Sequence, residues 1–289
     1  MKLSEKYRPN TLDDIIGQDE NIKLIKGILG KGNTENFLFY GPPGTGKTTT
    51  AKALANDFDF ELFDFNASDE RGIDFIRNKI KDISQTGSIN GLQKVIFLDE
   101  ADNLSRDAQP ALRRIMEDYY KNNIFILSAN ERGNLIDALA SRCVELHFAK
   151  LKKEDMAKIL NRVIDGEGLT ITEETKNRIY NRANGDGRKL MELIVQVATG
   201  AKIEEKDTFD INTYLEQIKA GEYIKAMGII RYIKFKDLST ELIKYFSEKQ
   251  QWEEIIKIGD WILPNPQPDD YIGRAGITAY LIKRREALT

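Results

Sequence analysis

Cysteine and histidine are almost missing from this 289-residue chain, with Cys143 and His147 as their single representatives. One cysteine excludes an internal disulfide, which fits a reducing compartment. One histidine rules out a histidine-rich metal cluster and leaves little scope for imidazole acid–base chemistry. The two lie four residues apart and read as one face of a strand, a poor basis for a catalytic Cys/His pair. Long apolar runs are lacking too: no stretch approaches the roughly 18 residues that a membrane span needs. The start from Met1 to Lys6 is polar with no apolar core behind it, so the expectation is a soluble, cytoplasmic or nucleoid-associated protein without a secretion or membrane signal. Nor is charge of one sign in excess. Lys+Arg of 43 against Asp+Glu of 46 leaves a net charge of -3, which argues against a globally basic nucleic-acid coat but not against a local basic patch. What is present, 41% apolar and 31% charged residues, is the composition of a globular chain of two or three domains.

Residues 36 to 148 alternate short β-branched or aromatic runs with helix-length segments. The runs are Asn36–Tyr40, Glu61–Phe65, Val95–Leu98, Ile124–Leu127 and Val144–Phe148. Three of them are almost wholly apolar, as strands covered on both faces of a parallel sheet must be. The segments between, such as Lys47 to Asp57 and Ala108 to Tyr120, supply the right-handed crossovers of an α/β sandwich. Beyond Phe148 the strand signal stops. Lys153–Ile164, Thr172–Ala183 and Arg188–Thr199 read as three helices, the first closed by Gly166 and Gly168. The polar stretch Lys202 to Asp210 reads as a linker. A second helical block runs from 211 to 289, broken at Pro264-Asn265-Pro266-Gln267-Pro268. The expected domains are therefore a nucleotide-fold domain over 1–149, a small helical lid over 150–205 and a helical tail over 206–289.

The strongest motif is Gly41-Pro42-Pro43-Gly44-Thr45-Gly46-Lys47-Thr48, followed by Thr49. Two glycines five apart, then Lys and Thr, stand after a strand and open a helix, as a phosphate loop requires. The glycines let the backbone turn its N–H groups inward, and the helix adds its positive end. Lys47 is placed for the β- and γ-phosphates and the Thr48 hydroxyl for Mg²⁺. The apolar run Val95–Leu98 then delivers Asp99 and Glu100 at a strand's carboxyl end, where ligands sit in open α/β sheets. Asp99 suits the metal, directly or through water, and Glu100 suits activation of the attacking water. Asn130, after the next strand, suits the γ-phosphate or that water, although a turn Asn is the plainer alternative. Arg188 opens the last lid helix, where a phosphate sensor and a solvated arginine fit the spacing equally. Arg142, just before the fifth strand, stands too far along the sheet to reach its own nucleotide. It is either a surface arginine or a finger for a neighbouring subunit's site.

Together these motifs resemble the AAA+ ATPases, and more closely the small subunits of replication factor C clamp loaders of archaeal or viral type. The resemblance covers residues 3 to 200. It rests on Glu5-Lys6-Tyr7-Arg8-Pro9 with Ile15-Ile16-Gly17-Gln18, Asn66-Ala67-Ser68-Asp69-Glu70-Arg71-Gly72-Ile73-Asp74, Asp99-Glu100-Ala101-Asp102, Ala111-Leu112-Arg113-Arg114 and Ser141-Arg142-Cys143. It implies a five-stranded parallel P-loop core, a helical lid and a helical collar. It implies ATP with Mg²⁺ as cofactors, an adenine pocket lined by Tyr7, Arg8, Pro9, Ile16 and Gly17, Arg142 acting in trans, and Arg188 as the lid sensor. It also implies partners: a large subunit and further small-subunit copies in a five-subunit spiral, a ring-shaped sliding clamp, and primer-template DNA. Two segments depart from the pattern. Pro110 stands early in the helix that carries Arg113 and Arg114, where it can kink or delay the start. Residues 130 to 134 are unusually polar and contain Gly133.

In Asp74 to Gln85, Ile76, Ile80 and Ile83 recur at i, i+4 and i+7, with Arg77, Lys79 and Lys81 beside them. The pattern fits a core stripe with a solvated basic face. The clamp-loader resemblance instead gives Arg77 and Lys81 to the DNA phosphates, with Arg71 and Arg106 as further candidates and Ile83 and Ile89 towards the clamp. Trp252 and Trp261 read as core or interface residues, and Met191 with Leu190, Ile194 and Val195 as lid core. A branch-migration or unfolding ring would need an exposed pore aromatic or a winged-helix tail, and a non-hydrolysing member would lack Glu100 or Arg142.

Overall fold

The computed structural model describes residues 2–87, 91–201, 211–230, 235–248 and 270–283. The expected linker 202–210, Ile89, the proline-rich break, Trp252 and Trp261 lie outside the described residues. The chain divides into two compact units, Met1–Glu204 and Glu205–Thr289.

In the first unit, the strands β1 (Phe37–Tyr40), β2 (Glu61–Asn66), β3 (Lys94–Asp99), β4 (Asn123–Ala129) and β5 (Val144–His147) form one sheet in the order β2-β3-β4-β1-β5. Every neighbouring pair is parallel. Alternation explains why the central runs are continuously apolar. Ile96, Leu98, Phe125, Leu127 and Leu38 enter one buried layer, while Val95, Phe97, Ile124, Ile126, Phe37 and Phe39 enter the other. Helices α2 (Asp19–Leu29) and α3 (Lys47–Asp57) cover the second layer. The first is covered by α4 (Ile73–Phe75), a π-helical turn over Ile76–Ile80, α5 (Lys81–Gln85), α6 (Ala108–Asp118) and α7 (Asp137–Ala140). The short α1 (Leu3–Lys6) precedes them all.

The segment expected as one helix over 74–85 therefore contains a π turn, which buries Ile76 and Ile80 and leaves Arg77, Lys79 and Lys81 exposed. Pro110 neither kinks nor delays α6, which starts at Ala108. In the first helical turn a proline's missing N–H has no partner to lose.

The lid is α8 (Lys153–Glu167), α9 (Glu173–Ala183) and α10 (Gly187–Ala198), packed around Leu160, Val163, Ile179, Leu190 and Ile194. Thr172 caps α9 by accepting from the Thr175 amide at 3.3 Å, and Asp186 caps α10 by accepting from the Arg188 and Lys189 amides. Gly166 does not end α8 as its spacing suggested. It lies inside the helix, and Gly168, at φ 63°, is the left-handed cap. The second unit comprises α11 (Ile211–Lys219), α12 (Tyr223–Ile229), α13 (Phe235–Glu248) and α14 (Asp270–Lys283) around a core of its own that includes Tyr214, Leu238, Leu242 and Phe246. Among the described residues, no helix is long and apolar enough to cross a membrane.

Candidate nucleotide site

The carboxyl ends of β1, β3 and β4 open on a cavity of about 390 Å³ in the first unit. That is the size range of small-molecule sites. One end is the loop between β1 and α3. Gly41, Gly44 and Gly46 have φ of 143°, 73° and 101°, conformations that a side chain strains. A Cβ on Gly41 would stand 2.2 Å from the Phe148 carbonyl oxygen, and one on Gly44 would stand 1.8 Å from Asp186 Oδ1. The loop can curl only because it lacks side chains there, and the lid touches it directly: the Gly187 amide donates to the Gly44 carbonyl at 2.8 Å.

Lys47, only 8% exposed, extends back under the loop. Its Nζ donates to the Gly41 and Pro42 carbonyls at 2.6 and 2.9 Å and lies 3.4 Å from Asn130 Oδ1. Burial pulls its pKa below the ordinary lysine value, against the pull of Asp99 and Asp102. Thr48 Oγ1 donates to Asp99 Oδ2 at 2.7 Å, and the Ser128 hydroxyl donates to Asp99 Oδ1. This hydroxyl–carboxylate pair beside the loop is the hard-oxygen donor set that suits Mg²⁺. Among the described residues no cluster of three or more Asp, Glu, His or Cys side chains could hold a metal, so a cation here would share its shell with phosphate oxygens.

Glu100 follows Asp99 in a left-handed conformation, φ 54° and ψ 40°, a strained state that occurs preferentially at functional sites. Its carboxylate accepts from the Ser68 hydroxyl, which also accepts from Asn103 Nδ2 at 2.9 Å. Asp102 Oδ2 accepts from the Asn130 amide at 3.0 Å and from that of Glu131 at 3.4 Å, so it fixes the backbone carrying Asn130.

The other end of the cavity is largely apolar. Tyr7, Arg8, Pro9, Ile15 and Ile16 line it from the N-terminal arm, and Ile159, Val163 and Met191 line it from the lid. Arg162 and Arg188 also face the cavity.

A family model described as AAA, ATPase family associated with various cellular activities, matches residues 37–151. The replication factor C small subunit of Thermofilum pendens is 43% identical over 278 residues, 89% of this chain and 84% of that relative. That of Picrophilus torridus is 39% identical over 83% of this chain and 77% of its own length. The Archaeoglobus fulgidus small subunit is 46% identical over 71% of this chain, a match that spans 66% of that relative. The chain belongs to the replication factor C small subunit family. Among solved structures, the RuvB Holliday junction branch migration motor of Thermotoga maritima aligns with a TM-score of 0.60 at 20% identity, covering 82% of this chain and 85% of that one. That likeness shows the shared AAA+ fold alone.

Against this family frame, the structure gathers Tyr7, Arg8, Pro9, Ile16, Pro43 through Thr49, Asp99, Glu100, Asn130 and Arg188 around one cavity. Gly41, Pro42 and Gly17 do not line it. The first two face Lys47 with their carbonyls, and Gly17, at φ 81°, lets Leu151 and Asp155 of the lid approach where a Cβ would stand at 2.8 and 2.9 Å. Met191, expected as lid core, both packs on that core and faces the cavity. No motif gave a role to Arg162, Ile159 or Ser128, and Ser68 had only a place in the Asn66–Asp74 run.

Arg142 is outside the cavity. Its guanidinium pairs with Glu117 of α6 and donates to the Ala138 carbonyl. Arg71, Arg77, Lys81 and Arg106 are all exposed. The Ser105 amide donates to the Arg71 carbonyl at 3.0 Å, which brings the Arg71 and Arg106 segments side by side, and Arg71 Nε donates to the Ser68 carbonyl at 3.0 Å. Burial pushes the Cys143 thiol up to about 12, which leaves little thiolate at neutral pH.

Proposed function

We propose that this chain is an ATP-dependent clamp-loader subunit. In this reading it binds Mg²⁺·ATP between loop, arm and lid, assembles with a large subunit and further small subunits, and opens a sliding clamp for loading on primer-template DNA. The domains are a core over 1–149, a lid over 150–205 and a collar over 206–289. The observation that carries the reading is the direct hydrogen bond between loop and lid, Gly187 to Gly44, beside a cavity that both of them wall. A triphosphate in the loop then necessarily feels the lid's position.

The chemistry follows from the side chains present. Lys47 and the loop amides bind the β- and γ-phosphates, while Thr48 and Asp99 would hold the Mg²⁺, which neutralises phosphate charge. Asn130, fixed by Asp102, is directed at the γ-phosphate or the attacking water, and Glu100 takes that water's proton once its carboxylate is turned from Ser68. Arg188 reports on the γ-phosphate from the lid. Arg142 completes a neighbour's site. Arg71, Arg77, Lys81 and Arg106 carry the sequence-independent attraction to DNA phosphates.

Steady-state ATP turnover, measured with the large subunit, clamp and primed DNA added in turn, tests this reading. Turnover should rise with clamp and primed DNA together, and a rate indifferent to both in the full assembly would exclude it.

A further inference from the structure

The cavity's two ends are held by different parts of the first unit. Residues of the arm near Leu12 are fixed to the core: the Leu12 amide donates to Asp57 Oδ2 at 2.8 Å, and the Asn10 carbonyl accepts from Asn56 Nδ2 at 3.2 Å. Residues nearer the start are fixed to the lid instead. Leu3 and Tyr7 pack on the lid core, the Tyr7 hydroxyl donates to Glu167 Oε1 at 2.7 Å, and Lys6 Nζ donates to the same oxygen at 2.6 Å. From Tyr7 to Asn10 the backbone can span roughly 10 Å at most. The arm is thus a short strap from lid to core, passing over the apolar end of the cavity.

Tyr7 lands on a position that the lid helix leaves bare. Ile159, Arg162, Val163 and Gly166 follow one another at helical spacing on one face of α8. The first three line the cavity, and at the fourth a Cβ would stand 2.1 Å from the Tyr7 oxygen, 2.9 Å from Cζ and 3.0 Å from Cε1. A glycine inside a helix costs about 0.5–1 kcal/mol relative to alanine, and its φ here needs no glycine. The missing side chain therefore serves the ring above it. Glu167 then fixes the ring by its hydroxyl, and Arg162 ties the same face to the arm through Asp14 at 3.7 Å.

We infer that Gly166 and Glu167 are positioning residues that seat Tyr7 as a wall for the nucleoside end of the ligand, and so set base affinity from outside the cavity. The inference rests on the nucleotide reading of the cavity. The phosphate loop fixes which end takes the triphosphate, so the apolar end between Pro9, Ile16, Ile159 and Val163 takes the base.

Calorimetric titration of the full chain with ATP and with inorganic tripolyphosphate, both with Mg²⁺, separates the two ends. Gly166→Ala displaces the ring, and the ATP Kd should rise about fivefold or more while the tripolyphosphate Kd moves less than about twofold. In a Tyr7→Ala background, Gly166→Ala should add nothing further, because the displaced group is gone. Glu167→Ala, on the surface and safe for folding, should weaken ATP about two- to fivefold with the same indifference of tripolyphosphate. An ATP affinity untouched by Gly166→Ala, an equal loss for both ligands, or an undiminished effect in the Tyr7→Ala background would overturn the inference. A wild-type chain that binds neither ligand would instead remove the nucleotide reading beneath it.

Discussion

Asp102 is the last acid of the Asp99–Asp102 run, and its carboxylate does not face the cavity. It accepts the Asn130 and Glu131 amides, so it orients a side chain on the neighbouring strand's exit rather than touching phosphate itself. Hydrogen bonds to a charged acceptor are worth roughly 1.5–3 kcal/mol, and losing one frees the turn that carries Asn130. Asp102→Ala should lower kcat in the stimulated assembly about tenfold and shift the ATP Kd by less than about twofold, whereas Asp102→Asn keeps an acceptor oxygen and should recover most of the loss. Stimulated turnover and equilibrium titration of both variants check this. A Kd that rises in step with the fall in kcat would show that Asp102 supports the loop instead.

At the scale of elements, the pairing of β2 with β3 brings the segment after Asn66 beside Asp99 and Glu100, since Asn66 is in register with Asp99. Ser68 uses that proximity to hold Glu100, and the Arg71 side chain grips the Ser68 carbonyl from the exposed side. A carboxylate engaged by a hydroxyl has to give up that hydrogen bond before it can take a proton from water. Ser68→Ala should therefore raise turnover without DNA by about two- to tenfold and shrink the further gain from primed DNA. Turnover assays of the assembled variant check it, and an unchanged unstimulated rate would show that the bond exerts no restraint. The strands and the phosphate loop were legible in the sequence, because each is a contiguous run whose burial or backbone turn dictates its residues. Ser68 was not legible in its role, because its partner lies 32 residues away and meets it only through strand pairing. Ile159, Arg162 and Val163 escaped for another reason: a cavity-facing stripe on a lid helix has the same period as a core stripe. Gly166 was read as a terminator because glycine usually is one near a helix end, while its reason lies in a tyrosine near the chain's start.

For the molecule as a whole, the role proposed for Arg142 bears on how many chains make one site. It stands outside its own cavity, and its guanidinium is held by Glu117, itself over a third exposed. A surface ion pair of this kind is worth about 0–1 kcal/mol, so exchanging Glu117 for a neighbour's γ-phosphate costs little. A cation delivered to phosphoryl oxygens in the transition state contributes about 10³-fold or more. Arg142→Ala should accordingly leave the ATP affinity of the isolated chain unchanged and lower stimulated hydrolysis in the assembly by that order. Mixing makes the test specific. If Arg142 acts in trans and Glu100 activates the water, assemblies of Arg142→Ala chains alone, or of Glu100→Gln chains alone, contain no complete site. A mixed assembly contains some, wherever an Arg142→Ala chain supplies Glu100 and its Glu100→Gln neighbour supplies the arginine. Turnover should reappear on mixing and follow the mole fraction of such junctions. If both single-variant assemblies are dead and every mixture stays dead, the arginine serves its own nucleotide, and each chain is a self-sufficient enzyme.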